Sequence, residues 1–208
     1  MKKALLIGNY KQAQWHPLSG VDDEIKRILT DFTIDVTEEY QSMKLSEMQA
    51  YDLVINYADT LSEHGSPEFA GALLGYVANG GALLAIHNGI LADDFPELLQ
   101  LMGASFIEHP PIEPLKYVKS CDHPIVDMID SFTINEEPYM FKMDNLANVA
   151  VIMEYIYKDK KHPAVWVRAY GNGRVCYFQP GHTSETFVDE SVCLLLKRAA
   201  MWCTHELS

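Results

Sequence analysis

Three segments of this chain place imidazoles where apolar runs give way to loops, and a fourth gathers two carboxylates. His87 closes the run Gly80-Gly81-Ala82-Leu83-Leu84-Ala85-Ile86-His87, and Gly89 follows two positions on. This is the pattern of a strand-to-helix elbow, a sharp turn that lifts one side chain out of a sheet edge for chemistry. Ser or Cys at such a position attacks covalently. An imidazole binds a metal or carries a proton, and is a poor covalent nucleophile for hydrolysis. A lone histidine at a strand end is more often a structural hydrogen-bonding group than a ligand. The elbow weighs against that plainer reading, because a strained turn has little structural purpose.

His182 follows Pro180-Gly181 after another apolar run, with Thr183, Ser184 and Glu185 at hand to orient its ring. The plainer alternative is a loop histidine capping a nearby helix. The segment Asn9–His16 follows the first apolar run. There Trp15, with His16 beside it, either stacks on the apolar face of a sugar or covers the sheet edge. Asn135-Glu136-Glu137-Pro138-Tyr139 gathers two carboxylates and a phenol. It reads either as a solvated acidic turn or as a base or metal ligand, with Tyr139 facing the same cleft. Arg168, in an otherwise apolar run, is expected in a structural salt bridge. Asp122-His123-Pro124 reads as a turn into Ile125–Ile129, and His109-Pro110-Pro111 as an extended loop; neither receives a role.

The elements that must position these groups alternate in the first half. Strands are expected over Ala4–Asn9, Thr33–Thr37, Asp52–Ala58 and Ala82–His87. Helices are expected over Val21–Phe32, from Pro67 to about Asn79, and over Phe95–Met102. Short β-α-β connections imply a parallel sheet covered on both faces. The second half changes character. Val149–Tyr157, Ala164–Tyr170 and Arg174–Phe178 read as an antiparallel meander, joined by Lys158–Lys161 and by Gly171-Asn172-Gly173. A terminal helix over Glu190–Trp202 carries the apolar stripe Val192, Leu195, Leu196, Ala199 and Trp202. Ligands of open α/β sheets bind beyond the carboxyl ends of the strands. Asn9–His16, His87-Asn88-Gly89 and Gln179–Glu185 all begin at such ends.

At 208 residues, without a repeat or long linker, the chain reads as one domain over 1–208. With 16 Lys+Arg against 29 Asp+Glu the net charge is −13. That charge repels phosphate backbones and anionic membranes, so neither nucleic acid nor a membrane is an expected partner. The apolar part of the N-terminal Met1–Gly8 is too short for a signal peptide, and no apolar run reaches the roughly 20 residues of a membrane span. The four cysteines form no CxxC pair, and Cys176 and Cys193 read as buried reduced thiols. These features point to the cytoplasm. The acidic surface and apolar content suggest a homo-oligomer.

The motifs occur in an order that resembles the trehalose-utilisation (ThuA-like) family across nearly the whole chain. They are Gly80–His87, Asp122-His123-Pro124-Ile125, Asn135–Tyr139, Pro163-Ala164-Val165-Trp166, Tyr170–Val175 and Gly181-His182-Thr183. The resemblance implies an α/β fold, a flavodoxin-like three-layer sandwich similar to the class I glutamine amidotransferases. It also makes a dimer plausible. In amidotransferases the elbow carries a catalytic Cys, and a later His and Glu complete the triad. Here Gln179, His182 and Glu185 echo that later segment, but no cysteine stands at the elbow. Thiolate chemistry, and glutaminase activity with it, is therefore not expected. The resemblance also implies an acidic pair beginning with Asp. Glu136 stands there instead, which makes Glu137 the safer choice for the functional carboxylate.

The expected function is a carbohydrate-metabolism enzyme acting on a sugar or keto-sugar. His87, His182 and Glu137 are its catalytic candidates. Trp15, His16, Asn88, Tyr139 and Glu185 are the substrate-binding candidates. In one version His87 and His182, with His16 or Glu137, hold a divalent metal such as zinc. In the other, His87 and Glu137 exchange protons with the substrate. The alternative is a non-catalytic sugar-binding or scaffold protein that has lost an ancestral nucleophile. An unexpected thiol-based amidotransferase or peptidase is a third.

Overall fold

A computed structural model describes residues 1–11, 13, 15–58, 66–90 and 95–207. Eleven strands and five α-helices occur among them, with three short 3-10 turns. In chain order they are β1 (Lys2–Gly8), α1 (Val21–Ile28), β2 (Phe32–Thr37), α2 (Leu45–Met48), β3 (Leu53–Tyr57), α3 (Pro67–Ala78), β4 (Ala82–Ile86) and α4 (Pro96–Met102). Then follow β5 (Ala104–Glu108), β6 (Glu113–Lys119), β7 (Phe132–Glu136), β8 (Met140–Met143), β9 (Ala150–Tyr157), β10 (Lys160–Tyr170), β11 (Gly173–Phe178) and α5 (Glu190–Cys203).

Nine strands form one sheet in the order β2-β1-β3-β4-β11-β10-β9-β6-β7. The first five run parallel, as the apolar runs and short crossovers require. Their order is that of the flavodoxin-like doubly wound sheets. The remaining four pair antiparallel. β1, β3 and β4 bury nearly every residue because helices cover both faces. Alternate residues divide between two cores. Leu6, Ile55 and Leu84 meet α1 and α5 on one side, whereas Leu5, Val54 and Leu83 meet α3 and α4 on the other.

Several expected boundaries move for local reasons. The first helix stops at Ile28 rather than Phe32, because Leu29 leaves helical geometry and Phe32 pairs with Lys2. The β9–β10 turn shrinks to Lys158-Asp159, both at positive φ, as a two-residue hairpin with the sheet's own twist requires. The next hairpin turns on Gly171-Asn172, with φ +58 at Gly171, and Gly173 already belongs to β11. Five elements had no sequence assignment: α2, β5, β6, β7 and β8. β6 and β7 extend the antiparallel half, and β5 pairs with β8 in a separate two-stranded ribbon. Among the described residues no helix is long and apolar enough to cross a membrane.

Two sequence expectations need correction. Arg168 forms no ion pair among the described residues. It donates to the Gln100 carbonyl and lies over the Tyr170 ring, because α4 brings a peptide oxygen rather than a carboxylate to that site. Cys193 is a free thiol but only half-buried, near the start of α5, where its Sγ donates to the Phe187 carbonyl at 3.0 Å. Cys176 is free and fully buried.

Candidate active site

The elbow forms as expected, and it is strained. His87 directly follows β4 with φ +47, a left-handed geometry uncommon for any residue but glycine. Its neighbours hold it there. The Tyr177 hydroxyl donates to the His87 carbonyl at 3.0 Å, and the ring Nδ1 meets the Gln179 carbonyl at 2.7 Å. Gly89 permits the turn to press on β3, since a Cβ there would sit 2.0 Å from the Asn56 carbonyl oxygen. Asn56 Nδ2 donates back to the Gly89 carbonyl at 2.8 Å.

Four side chains converge beyond the strand ends. His16 arrives after β1, His87 after β4, His182 after β11, and Glu137 just after β7. Glu137 Oε2 lies 3.1 Å from His87 Nε2, 3.1 Å from His182 Nδ1 and 3.5 Å from His16 Nε2. One nitrogen or oxygen from each residue falls within 4.8 Å of all the others. The three rings stand edge-to-face, their centroids 5.0 to 5.5 Å apart. Tyr139 closes one side. Its hydroxyl is 3.3 Å from His16 Nε2, and its ring centroid is 4.2 Å from that of His87.

The hydrogen-bond chemistry of His87 is decisive. A peptide carbonyl only accepts, so Nδ1 carries the proton donated to Gln179. In the neutral ring Nε2 then aims a lone pair at a carboxylate oxygen 3.1 Å away. Two acceptors that close repel unless a proton or a cation lies between their lone pairs. Burial opposes the charge on Glu137. The ring nitrogens of His16, His182 and His87 that face it favour the ionised form, outweigh burial and hold the carboxyl well below the usual range. Burial also opposes a positive His182, but the Glu137 carboxylate 3.1 Å from its Nδ1 prevails, so its pKa is raised.

The neighbouring carboxylate works differently. Glu136 is fully buried. Its Oε2 accepts from the amides of Gly181 (2.7 Å) and His182 (3.2 Å) and from the Thr186 hydroxyl (3.0 Å). Its Oε1 accepts from the Glu137 amide at 2.9 Å. Glu136 thus ties the β7 end to the loop that carries His182. Gln179 reinforces the tie, since Nε2 donates to the Glu137 carbonyl at 2.6 Å and Oε1 accepts from the Tyr117 hydroxyl at 2.6 Å.

The convergence therefore includes His87, His182, Glu137, His16 and Tyr139. It leaves out three other candidates. Asn88 is buried, with Nδ2 donating to the Tyr57 carbonyl at 3.0 Å, so it stitches the elbow to β3. Trp15 is 60% exposed, whereas His16 beside it is buried. Glu185 is exposed, lines a recess beside His182 and does not orient that ring, a task that falls to Glu137. His109 lacked a role in the sequence, yet its Nδ1 lies 3.5 Å from Glu137 Oε1 and its ring faces Tyr139. Its position before two prolines at the end of β5 was the available signal. His123 accepts from the Ile125 amide and caps the short turn 124–126, as the Asp-His-Pro reading expects.

A doubly wound sheet whose elbow offers an imidazole inside a cage of histidines defines an amidotransferase-like α/β protein without the amidotransferase thiol. The chain belongs to the ThuA family, described as trehalose utilisation, whose family model matches residues 5–203. Solved ThuA-like proteins share the fold. One from Bacteroides uniformis has a TM-score of 0.80 at 20% identity, covering 97% of this chain and 91% of its own. One from Parabacteroides merdae has a TM-score of 0.80 at 18% identity, covering 99% and 90%. A β-galactosidase from Rahnella sp. R3 matches at TM-score 0.69 and 16% identity, covering 98% of this chain but 32% of its own. No curated protein sequence matches the chain.

Proposed function

We propose that this protein is an enzyme of carbohydrate metabolism that acts on a sugar or keto-sugar at the His16–His87–Glu137–His182 cluster, with a divalent ion such as zinc held there. The opposed acceptors of His87 and Glu137 carry this reading. A tetrahedral ion with bonds of about 2.0–2.1 Å needs ligand atoms about 3.3 Å apart. Glu137 Oε2 stands 3.1, 3.1 and 3.5 Å from the three ring nitrogens. His87 donates its other ring nitrogen to a peptide carbonyl, which is how metal-bound imidazoles are usually oriented. Such an ion would supply Lewis acidity at a substrate carbonyl or hydroxyl. The chain's own groups do the rest. Tyr139 packs the cage against water, and Glu136 fixes the backbone of His182.

Elemental analysis of protein purified without chelators tests this. About one equivalent of metal is expected, lost in His87→Ala. Absence of metal together with no uptake on titration would remove the ion and leave proton exchange between His87 and Glu137 as the chemistry. The second reading, a non-catalytic sugar-binding module, draws on the match to about a third of a β-galactosidase chain. It predicts that sugar affinity survives His87→Ala and His182→Ala and that no turnover is found with any sugar. A cytoplasmic location and a homodimer belong to the same proposal. Two structural neighbours are described as cytoplasmic proteins from Salmonella typhimurium. Sedimentation of the purified chain tests the dimer.

A further inference from the structure

Next to the imidazole cage lies a recess of about 280 Å³ that shares His182 with it. Its two sides differ chemically. Ile112 and Ile134 form an apolar wall, and Asn135, Thr183 and Glu185 present polar groups. The side chains of these three polar residues make no hydrogen bond or ion pair with other described residues. Thr186, also in the wall, is already committed to Glu136. An apolar surface facing free hydroxyl, amide and carboxylate groups matches a sugar ring, which has a C–H face and a rim of hydroxyls. The volume is just below the roughly 300–1,000 Å³ typical of ligand pockets, so it suits a single ring. No Lys or Arg lines the recess, and Glu185 does. A phosphate group would meet a carboxylate, with no guanidinium or ammonium to receive it.

We propose that this recess is a subsite for one unphosphorylated sugar ring, with Asn135 and Glu185 binding its hydroxyls and the Ile112–Ile134 wall facing its C–H surface. The inference rests on the sugar-enzyme reading of the cage, which it deepens by naming where the ring sits and which sugars are refused. A ring held here presents an edge to His182.

Ligand-observed NMR titrations of the full chain with glucose, trehalose and glucose 6-phosphate test it, with metal content measured on the same samples. In the unaltered protein the two neutral sugars bind and the phosphate does not. Asn135→Ala removes a hydrogen bond between neutral groups and weakens sugar binding about three- to tenfold. Glu185→Lys admits glucose 6-phosphate. Both positions are exposed, so fold and metal content should persist, which a thermal melt and elemental analysis check. The proposal is overturned if glucose 6-phosphate binds the unaltered protein as well as glucose does, if neither sugar binds, or if Asn135→Ala leaves sugar affinity unchanged. Retained metal with any of these results removes only the subsite. Absence of metal uptake with intact sugar selectivity removes only the metal centre.

Discussion

Glu136 and Glu137 are consecutive, both buried, and surrounded by opposite kinds of partner. Around Glu136 every donor is a neutral amide or hydroxyl from the backbone or Thr186. Around Glu137 the partners are ring nitrogens of four histidines. Fixed neutral donors satisfy a carboxylate and lock it in place. Imidazoles leave theirs open to exchange, because each ring nitrogen can be donor, acceptor or metal ligand. Two residues one peptide apart therefore differ in kind, one holding the scaffold and the other open to the proposed chemistry. A third carboxylate, Asp22, lies between these extremes. It accepts from the Tyr10 hydroxyl at 2.7 Å and from the Lys26 ammonium at 2.8 Å.

The largest expected effect breaks the Glu137 side. Glu137→Ala removes the one group that all the rings share, and metal affinity should fall by more than about 100-fold, beyond what second-layer changes cause. Calorimetric zinc titration reads it. Unchanged affinity would mean that the cage holds no ion.

Glu136→Gln comes next. The amide sets its own N–H groups against donors, leaving buried hydrogen bonds unmade, at a cost of about 2 kcal/mol. For a domain of this size that is about 4–8 °C in Tm. Metal affinity should also drop, by about 10–100-fold, because the His182 loop loses its anchor. Loss of stability without loss of affinity would deny Glu136 its positioning role.

Asp22 gives a smaller, pH-dependent effect. Burial works against its charge. The bonds from Lys26 and Tyr10 and the ammonium's charge outweigh that and lower its pKa below the ordinary 3.8. Its stabilisation is complete above that pH and fades as pH falls through the lowered folded value. Asp22→Asn should flatten the acid limb of stability measured by urea unfolding between about pH 2 and 5, by no more than about 1 kcal/mol. An unchanged limb would show that the pair contributes nothing. Trp15→Ala should do least, under about 0.5 kcal/mol in stability with no change in metal content. A fall in sugar affinity alone would bring Trp15 back as a stacking surface.

Much of the site was legible because elbows and strand ends leave local marks. His87 after an apolar run and His182 after Pro180-Gly181 were readable for that reason. The Glu136–Glu137 division was half-written as well. Alternation along β7 puts Phe132, Ile134 and Glu136 on one side, and Glu136 is buried with Phe132. A strand assignment over Phe132–Glu136 would have marked it as a buried carboxylate in need of donors. β5 and β8 were harder to see, because each is short, largely half-exposed and paired only with the other.

The sequence by itself determined the parallel half, the elbow and the missing thiol. Those follow from apolar periodicity, from glycine placement and from residue identity, all of which are local. Only the tertiary structure decided that four ring nitrogens meet one carboxylate, that Glu185 lines a recess beside them rather than orienting His182, and that His109 joins. Residues 16, 87, 137 and 182 are brought together by the order of strands in the sheet and by the return of β6 and β7 to its far edge. No spacing along the chain encodes that proximity, because it is fixed by which buried faces pack together.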